Sequence, residues 1–240
     1  DEQQTIEMED LLKKKEVKRK ESELNIFKWL IVLGSFVVYF ICDGVSMTFG
    51  IFTREFIDYF GESNSRTFLT TGLIQSVPLF MSPFVCLLID KYHCRPVALV
   101  GSTLLVASFV STRYLVNSLL TLNLTIGIMT SLGLAMLYIP AYLIISFHFS
   151  DKRAFATGIA VSGSGLGVMV LSPLAEYLIR EYDWMDACLL FGAISSHTFI
   201  SACLFRKLNS NLTEENNKEE QQVTSEKVVP QKKREHPVLG

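Results

Sequence analysis

Apolar positions in this chain are not dispersed at a helical or strand period. They run together in six long blocks, at about 29–52, 68–89, 96–112, 119–149, 154–179 and 184–205. A helix needs ~20 residues to cross ~30 Å of hydrocarbon, and each block reaches or approaches that length. A soluble domain would interrupt its core helices with a polar face every turn. The pattern therefore predicts an all-α membrane protein with six transmembrane helices. The domain plan is a basic and acidic tail at 1–27, a six-helix bundle at 28–206, and a second polar tail at 207–240.

Composition sharpens this picture only through its distribution. The hydrophobic fraction of 49% is near a globular average, and what is unusual is its segregation from the charge at the two ends. A net charge of -2 without a basic stripe argues against nucleic-acid binding. The cysteines Cys42, Cys86, Cys94, Cys188 and Cys203 lack paired spacing and read as packing residues, not as disulfides or a zinc site. The first apolar run is too long for a cleavable signal peptide and suits an internal signal-anchor. The chain begins with Asp1, as a processed protein or a piece of a longer one would.

Charge next sets orientation. One side collects Lys13, Lys14, Lys15, Lys18, Arg19, Lys20, Lys28, Lys91, Arg95, Lys152, Arg153, Arg206 and Lys207, against Arg54, Arg66, Arg113 and Arg180 on the other. The positive-inside rule then predicts that both termini are cytosolic. Glycosylation sequons at Asn123 and Asn211 fall in an apolar run and a cytosolic tail, so neither is expected to carry sugar. The fourth block, at ~1.5 Å per residue, is ~46 Å long; it should tilt or protrude, with Pro140 a bend.

Two short cytosolic loops carry the motifs. Between the second and third blocks stands Asp90-Lys91-Tyr92-His93-Cys94-Arg95-Pro96. It reads either as a lock at a gate, with Asp90 bonding the next helix's free amides or Arg95, or as a solvated loop obeying the charge rule. The second loop holds Asp151, Lys152 and Arg153 and leads into Ala156, Ala160, Gly163, Ser164 and Gly167 at three- and four-residue steps. Those small residues put a smooth stripe on one face of the fifth helix, where another helix approaches closely.

The run Asp-Lys-Arg-x-x-Ala-x-Gly-x-Ala-x-Ser-Gly-Ser-x-x-Gly from Asp151 to Gly167 is similar to the fifth-helix signature of the monocarboxylate transporters, solute carriers of the major facilitator superfamily. The stretch from Asp43 to Gly50, with Glu55-Phe56 and Tyr59-Phe60-Gly61-Glu62-Ser63, resembles the first helix and external loop of invertebrate and orphan members. Residues 90–95 resemble the superfamily's loop between helices two and three. The resemblance covers about residues 28–206. It implies one half, the N-terminal one, of a twelve-helix fold with its substrate site at the midplane between halves. Plasma-membrane residence and, in relatives, a single-span immunoglobulin-type chaperone follow from it, with symport a further implication. Two places depart from the family. Only Trp29 survives of the acidic-Gly-Gly-aromatic opening, and Met47 stands where lactate carriers place a lysine.

Within the blocks, Asp43 is the costliest residue, since an intramembrane carboxylate costs at least ~2.5 kcal/mol on insertion scales. It is read either as facing a solute pathway or as partnering a neighbouring Ser, Thr or Tyr. Met47 lies one turn on along the same face. The resemblance places Thr157 near bound substrate. His197 reads as bonded to Ser195, Ser201 or another helix, Gln75 and Asn123 as interhelical bond formers, and Glu176–Arg180 as an i,i+4 pair. No nucleophile motif, cofactor fingerprint or metal-ligand spacing stands out. Candidate substrate-binding residues are Asp43, Met47 and Thr157, and candidate gating residues are Asp90, Arg95, Asp151, Lys152 and Arg153. The expected function is transport of a small organic solute, completed by a C-terminal half or a second copy. The alternative is a truncated six-helix adaptor without transport. A monocarboxylate is one candidate solute; without lysine at Met47, the expectation is a carrier that prefers a neutral, zwitterionic or cationic solute, or handles monocarboxylates poorly.

Overall fold

A computed structural model of the chain describes residues 2–149 and 152–205, with side chains from Ile26 onward. Asp151, Asn211 and the 207–240 tail lie outside the described residues. Six helices are long and apolar enough to span a bilayer: Ile26–Phe60, Asn64–Tyr92, Cys94–Leu115, Leu119–His148, Arg153–Glu181 and Trp184–Leu204. The chain is a multi-pass membrane protein.

The first span is the end of a longer helix, α1 (Glu2–Phe60). The 1–27 tail is thus helical from Glu2 and runs without a break into the bilayer span. Gly61 stops the helix at φ +62, its amide bonded to the Ile57 carbonyl at 3.0 Å, in the left-handed geometry that glycine adopts without penalty. α2 (Asn64–Tyr92) contains Pro78 and Pro83 and ends at His93, whose φ is +70. α3 (Cys94–Leu115) follows directly.

The fourth span is not one regular α-helix. A short α4 (Leu119–Leu122) passes into a π-helical segment (Asn123–Thr130) and then α5 (Ser131–His148), which carries Pro140 inside it. The irregularity lies at the π segment, where wider i→i+5 turns free backbone groups. Local hydroxyls take them up: Thr125 donates to the Thr121 carbonyl at 2.9 Å, and Ser131 donates to the carbonyls of Gly127 and, at 3.2 Å, of Leu73. The fifth span is α6 (Arg153–Glu181). The sixth is divided into α7 (Trp184–Ser195) and α8 (Thr198–Leu204), with His197 at the join. His197 bonds the Ile194 carbonyl of its own turn at 3.1 Å, in place of the serine or neighbouring-helix partner expected.

Packing follows the small residues. α1 has its most extensive contact with α6, and the buried side of α6 is the predicted stripe, with Ala156, Ala160, Gly163 and Gly167 all inside. A Cβ on Gly163 would stand 2.5 Å from the Phe36 carbonyl oxygen, so only glycine permits this spacing. Gly101 and Gly133 serve the α3–α5 contact in the same way. The helices run past one another with hydroxyl bonds between them: Ser108 with Thr130 at 2.8 Å, Thr198 to Ser102 at 3.1 Å, Thr53 with Thr71 at 2.6 Å. Asn123 accepts from Thr70 at 2.5 Å, an interhelical bond as expected. Trp29 sits against Phe149 and Phe155 at one end, and Trp184 against Phe56 and Tyr59 at the other. Aromatic residues at both ends suit two membrane–water interfaces.

Two expected charge contacts are not formed. Arg180 pairs with Glu181 at 3.9 Å, not with Glu176. Among the described residues Asp90 and Arg95 form no ion pair; both are exposed, and the α3 N-terminus has no side-chain cap. The tight turn through His93 leaves no loop to bring the carboxylate around onto the α3 amides. Cys42, Cys94 and Cys188 are buried.

Candidate functional site

A cleft of about 400 Å³ opens between α1, α2 and α5. From α1 come Asp43 and Met47, one turn apart, with Cys42 and Ser46 beside them. The opposite wall is α2, which contributes Ile74, Gln75, Pro78, Leu79 and Ser82. α5 closes the third side with Leu134, Ala135, Tyr138 and Ile139. The walls thus come from the first, second and fourth spans.

Local sequence explains the placement. α1 turns Tyr39, Val45 and Phe49 into the core, so Asp43 falls at the core's edge and is half-buried. The glycine contact draws α6, and with it the Ser164 hydroxyl next to Gly163, close to the Asp43 carboxylate. From α5 Tyr138 lines the same cleft beside Asp43, its ring held edge-on to Tyr39 at 4.6 Å between centroids. Gln75 reaches across from α2 to the Met47 sulfur at 3.8 Å. Pro78 has no amide to donate, which leaves the Ile74 carbonyl without its helical partner on a cleft-lining turn. No Lys, Arg or His lines the cleft. Chemically it offers one carboxylate, several hydroxyls and an amide against an apolar wall.

The remaining candidates lie elsewhere. Thr157 is not among the lining residues. It precedes Ser164 by seven positions, ~10 Å along the helix, and its buried hydroxyl has no hydrogen-bond partner among the described residues. Arg153 donates to the Tyr142 hydroxyl at 3.1 Å and lies over that ring, tying the start of α6 to α5. Lys152, like Asp90 and Arg95, is exposed.

Sequence reasoning did not place Tyr138, Ser164, Ser46, Ser82 or Cys42 at the site. A signal existed for the first two: a carboxylate in an apolar run demands donors, and hydroxyls on facing spans are the available ones. Which of many hydroxyls it would be depends on helix register, which composition does not contain. Among the described residues no group of His, Cys, Asp and Glu is arranged to hold a metal ion.

Comparison with known proteins agrees with this architecture. The sequence profile of the Major Facilitator Superfamily matches residues 27–239. The chain is 32% identical over 181 residues to human "Monocarboxylate transporter 14", covering 75% of this chain and 35% of that protein. It is 30% identical over 198 residues to "Monocarboxylate transporter 12" of Mus musculus, covering 81% of this chain and 40% of the relative. With "Monocarboxylate transporter 13" of Rattus norvegicus the identity is 33% over 204 residues, 83% of this chain and 46% of the relative. The chain therefore spans less than half the length of these curated relatives. Because the profile extends over nearly the whole chain and the relatives point the same way, the chain belongs to the Major Facilitator Superfamily and is monocarboxylate-transporter-like.

Proposed function

We propose that this chain is the N-terminal six-helix half of a carrier that moves a small organic solute by alternating access. The observation that supports it most is the cleft itself. A bundle whose α1–α6 and α3–α5 contacts are closed on glycines keeps about 400 Å³ open around an intramembrane carboxylate. Such a residue is expensive in a bilayer and is retained where it faces water or a passing solute. Carriers of this architecture bind at the midplane between two halves, and the relatives' additional length leaves room for a second six-helix unit. A C-terminal half, or a second copy, would close the cleft from the other side.

In this reading Asp43 and Met47 contact the solute, and Thr157 offers its unpaired hydroxyl on the cytosolic side. The loops holding Asp90, Arg95, Asp151, Lys152 and Arg153 part and reclose as the cytosolic gate. Both termini face the cytosol of a plasma-membrane protein, with a single-span chaperone a candidate companion. The test is uptake in oocytes of labelled lactate, butyramide and butylamine, by the chain alone and joined to the second half of a relative. Saturable uptake of at least one probe, lost when Ser46→Trp fills the cleft, is the expected result. Uptake indifferent to Ser46→Trp, or none from any pairing, would favour the six-helix adaptor instead.

A further inference from the structure

We infer that the cleft takes a small organic cation, an ammonium or guanidinium compound, with Asp43 as its counter-ion, and that the solute and a proton occupy this carboxylate in turn. The inference rests on the carrier reading and names the substrate class of the same site. It starts from the groups around Asp43. On its own helix the titratable neighbours are Tyr39 and Cys42, and α5 brings Tyr138. Tyr142, one turn beyond, belongs to the same tyrosine cluster. α6 brings Ser164, and α2 faces the cleft with Gln75 and Ser82, which do not titrate. Phenols and thiols are neutral near pH 7, so none of these groups supplies a positive charge.

An ionised carboxylate in such a place needs a cation. Neighbouring hydroxyl dipoles of Ser164 and Tyr138 ease its burial but do not cancel its charge. With no basic residue among those that line the cleft in this chain, neutrality here falls to a mobile cation, either a proton or the solute. The remaining walls select between kinds of solute. A hard inorganic ion wants about six oxygen ligands, whereas one side here is Ile74, Pro78, Leu79 and Ile139. Those side chains suit the hydrocarbon part of an organic molecule. Tyr138 is 37% exposed and borders the carboxylate, placing an aromatic ring where a cation would rest. The volume falls within the ~300–1,000 Å³ of ordinary small-molecule sites. A carboxylate solute meets the opposite situation, since Asp43 repels it and Met47 offers it no donor.

Occupancy in turn has a mechanical consequence. The ammonium ion displaces the Asp43 proton to water on the side from which it enters, and a proton from the opposite side takes its place on the carboxylate when it leaves. Each cycle therefore exchanges one proton for one monovalent cation, with no net charge left in the membrane.

The experiment is infrared difference spectroscopy on the chain in lipid nanodiscs, with butylammonium, butylguanidinium, butyramide and butyrate as probes. The unmodified chain should show a protonated-carboxyl C=O stretch that the two cations abolish and the other probes leave alone. Asp43→Asn, nearly isosteric, should lack the band and retain labelled butylamine at least about tenfold more weakly. Asp43→Glu should restore both. A band that persists in Asp43→Asn, or butylamine retention unchanged by it, overturns the inference. Stronger retention of butyrate or butyramide than of butylamine also overturns it, and leaves the carrier reading standing. Retention of none of the four counts against the cleft as a solute site altogether.

Discussion

Replacing Gly167 with alanine tests whether the α1–α6 contact holds the bundle together. A Cβ there would fall on the Phe40 carbonyl oxygen, 2.8 Å from its carbon and 2.9 Å from the Phe40 Cα. Carbon atoms rest ~3.5–4.0 Å apart, so the helices must separate by roughly 1 Å. The stripe has no slack nearby, because Gly163 meets Phe36 and a Cβ on Gly44 would stand 2.6 Å from Leu171. A gap of that size forfeits a quarter to a half of each contact's ~0.1–0.2 kcal/mol, and overpacking of this kind typically costs ~1–3 kcal/mol. We expect about 2 kcal/mol, and a stretched Thr48–Ser172 contact, now 3.3 Å. Gly158 and Gly165 on the same helix are the controls, since a Cβ at either meets nothing within 4 Å. Alanine there should be neutral or stabilising by up to ~1 kcal/mol through helix propensity. The assay is reversible unfolding in mixed detergent micelles, with thiol labelling of the buried Cys42 as the reporter of opening. If Gly167→Ala proves as stable as Gly165→Ala, the close-contact argument is wrong.

Four further expectations follow from named contacts. Asn123→Ala strips Thr70, which is fully buried, of its partner and should cost ~1–2 kcal/mol in the same unfolding assay, with Thr70→Val recovering part of the loss. Arg113 and Asp186 pair at 2.7 Å but are about half exposed, so a double-mutant cycle should return only ~0.2–1 kcal/mol, and a larger value would mean the pair is more desolvated than it looks. Orientation is best read at the exposed Lys91, since Cys94 is only 6% exposed and would resist a thiol reagent from either side; Lys91→Cys should stay unlabelled by an impermeant reagent in intact cells and react after permeabilisation. Combining Met47→Lys with Asp43→Asn should raise lactate uptake by the joined carrier, because it exchanges a fixed anion for a fixed cation in the cleft.

Much of this protein was legible in one dimension. The bilayer reduces the choice of spanning structure to helices or closed barrels, so six unbroken apolar blocks specify six helices and their approximate ends. The stripe from Ala156 to Gly167 marked a close helix contact before its partner was known, because small residues at helical spacing have few other physical uses. Asp43 stood out through its insertion cost alone. Tertiary structure decided what depends on rotation and register between helices. It brought Tyr138 and Ser164 to Asp43, set α2 as the facing wall, and left Thr157 outside the cleft. It turned Asp90 and Arg95 to solvent and put a π segment into the fourth span, where hydroxyls of Thr125 and Ser131 satisfy the displaced backbone. A lipid-facing span and a cleft-facing one can share the same composition, so the sequence tells how many helices cross the membrane, while the packing of one glycine surface on another selects the residues that meet.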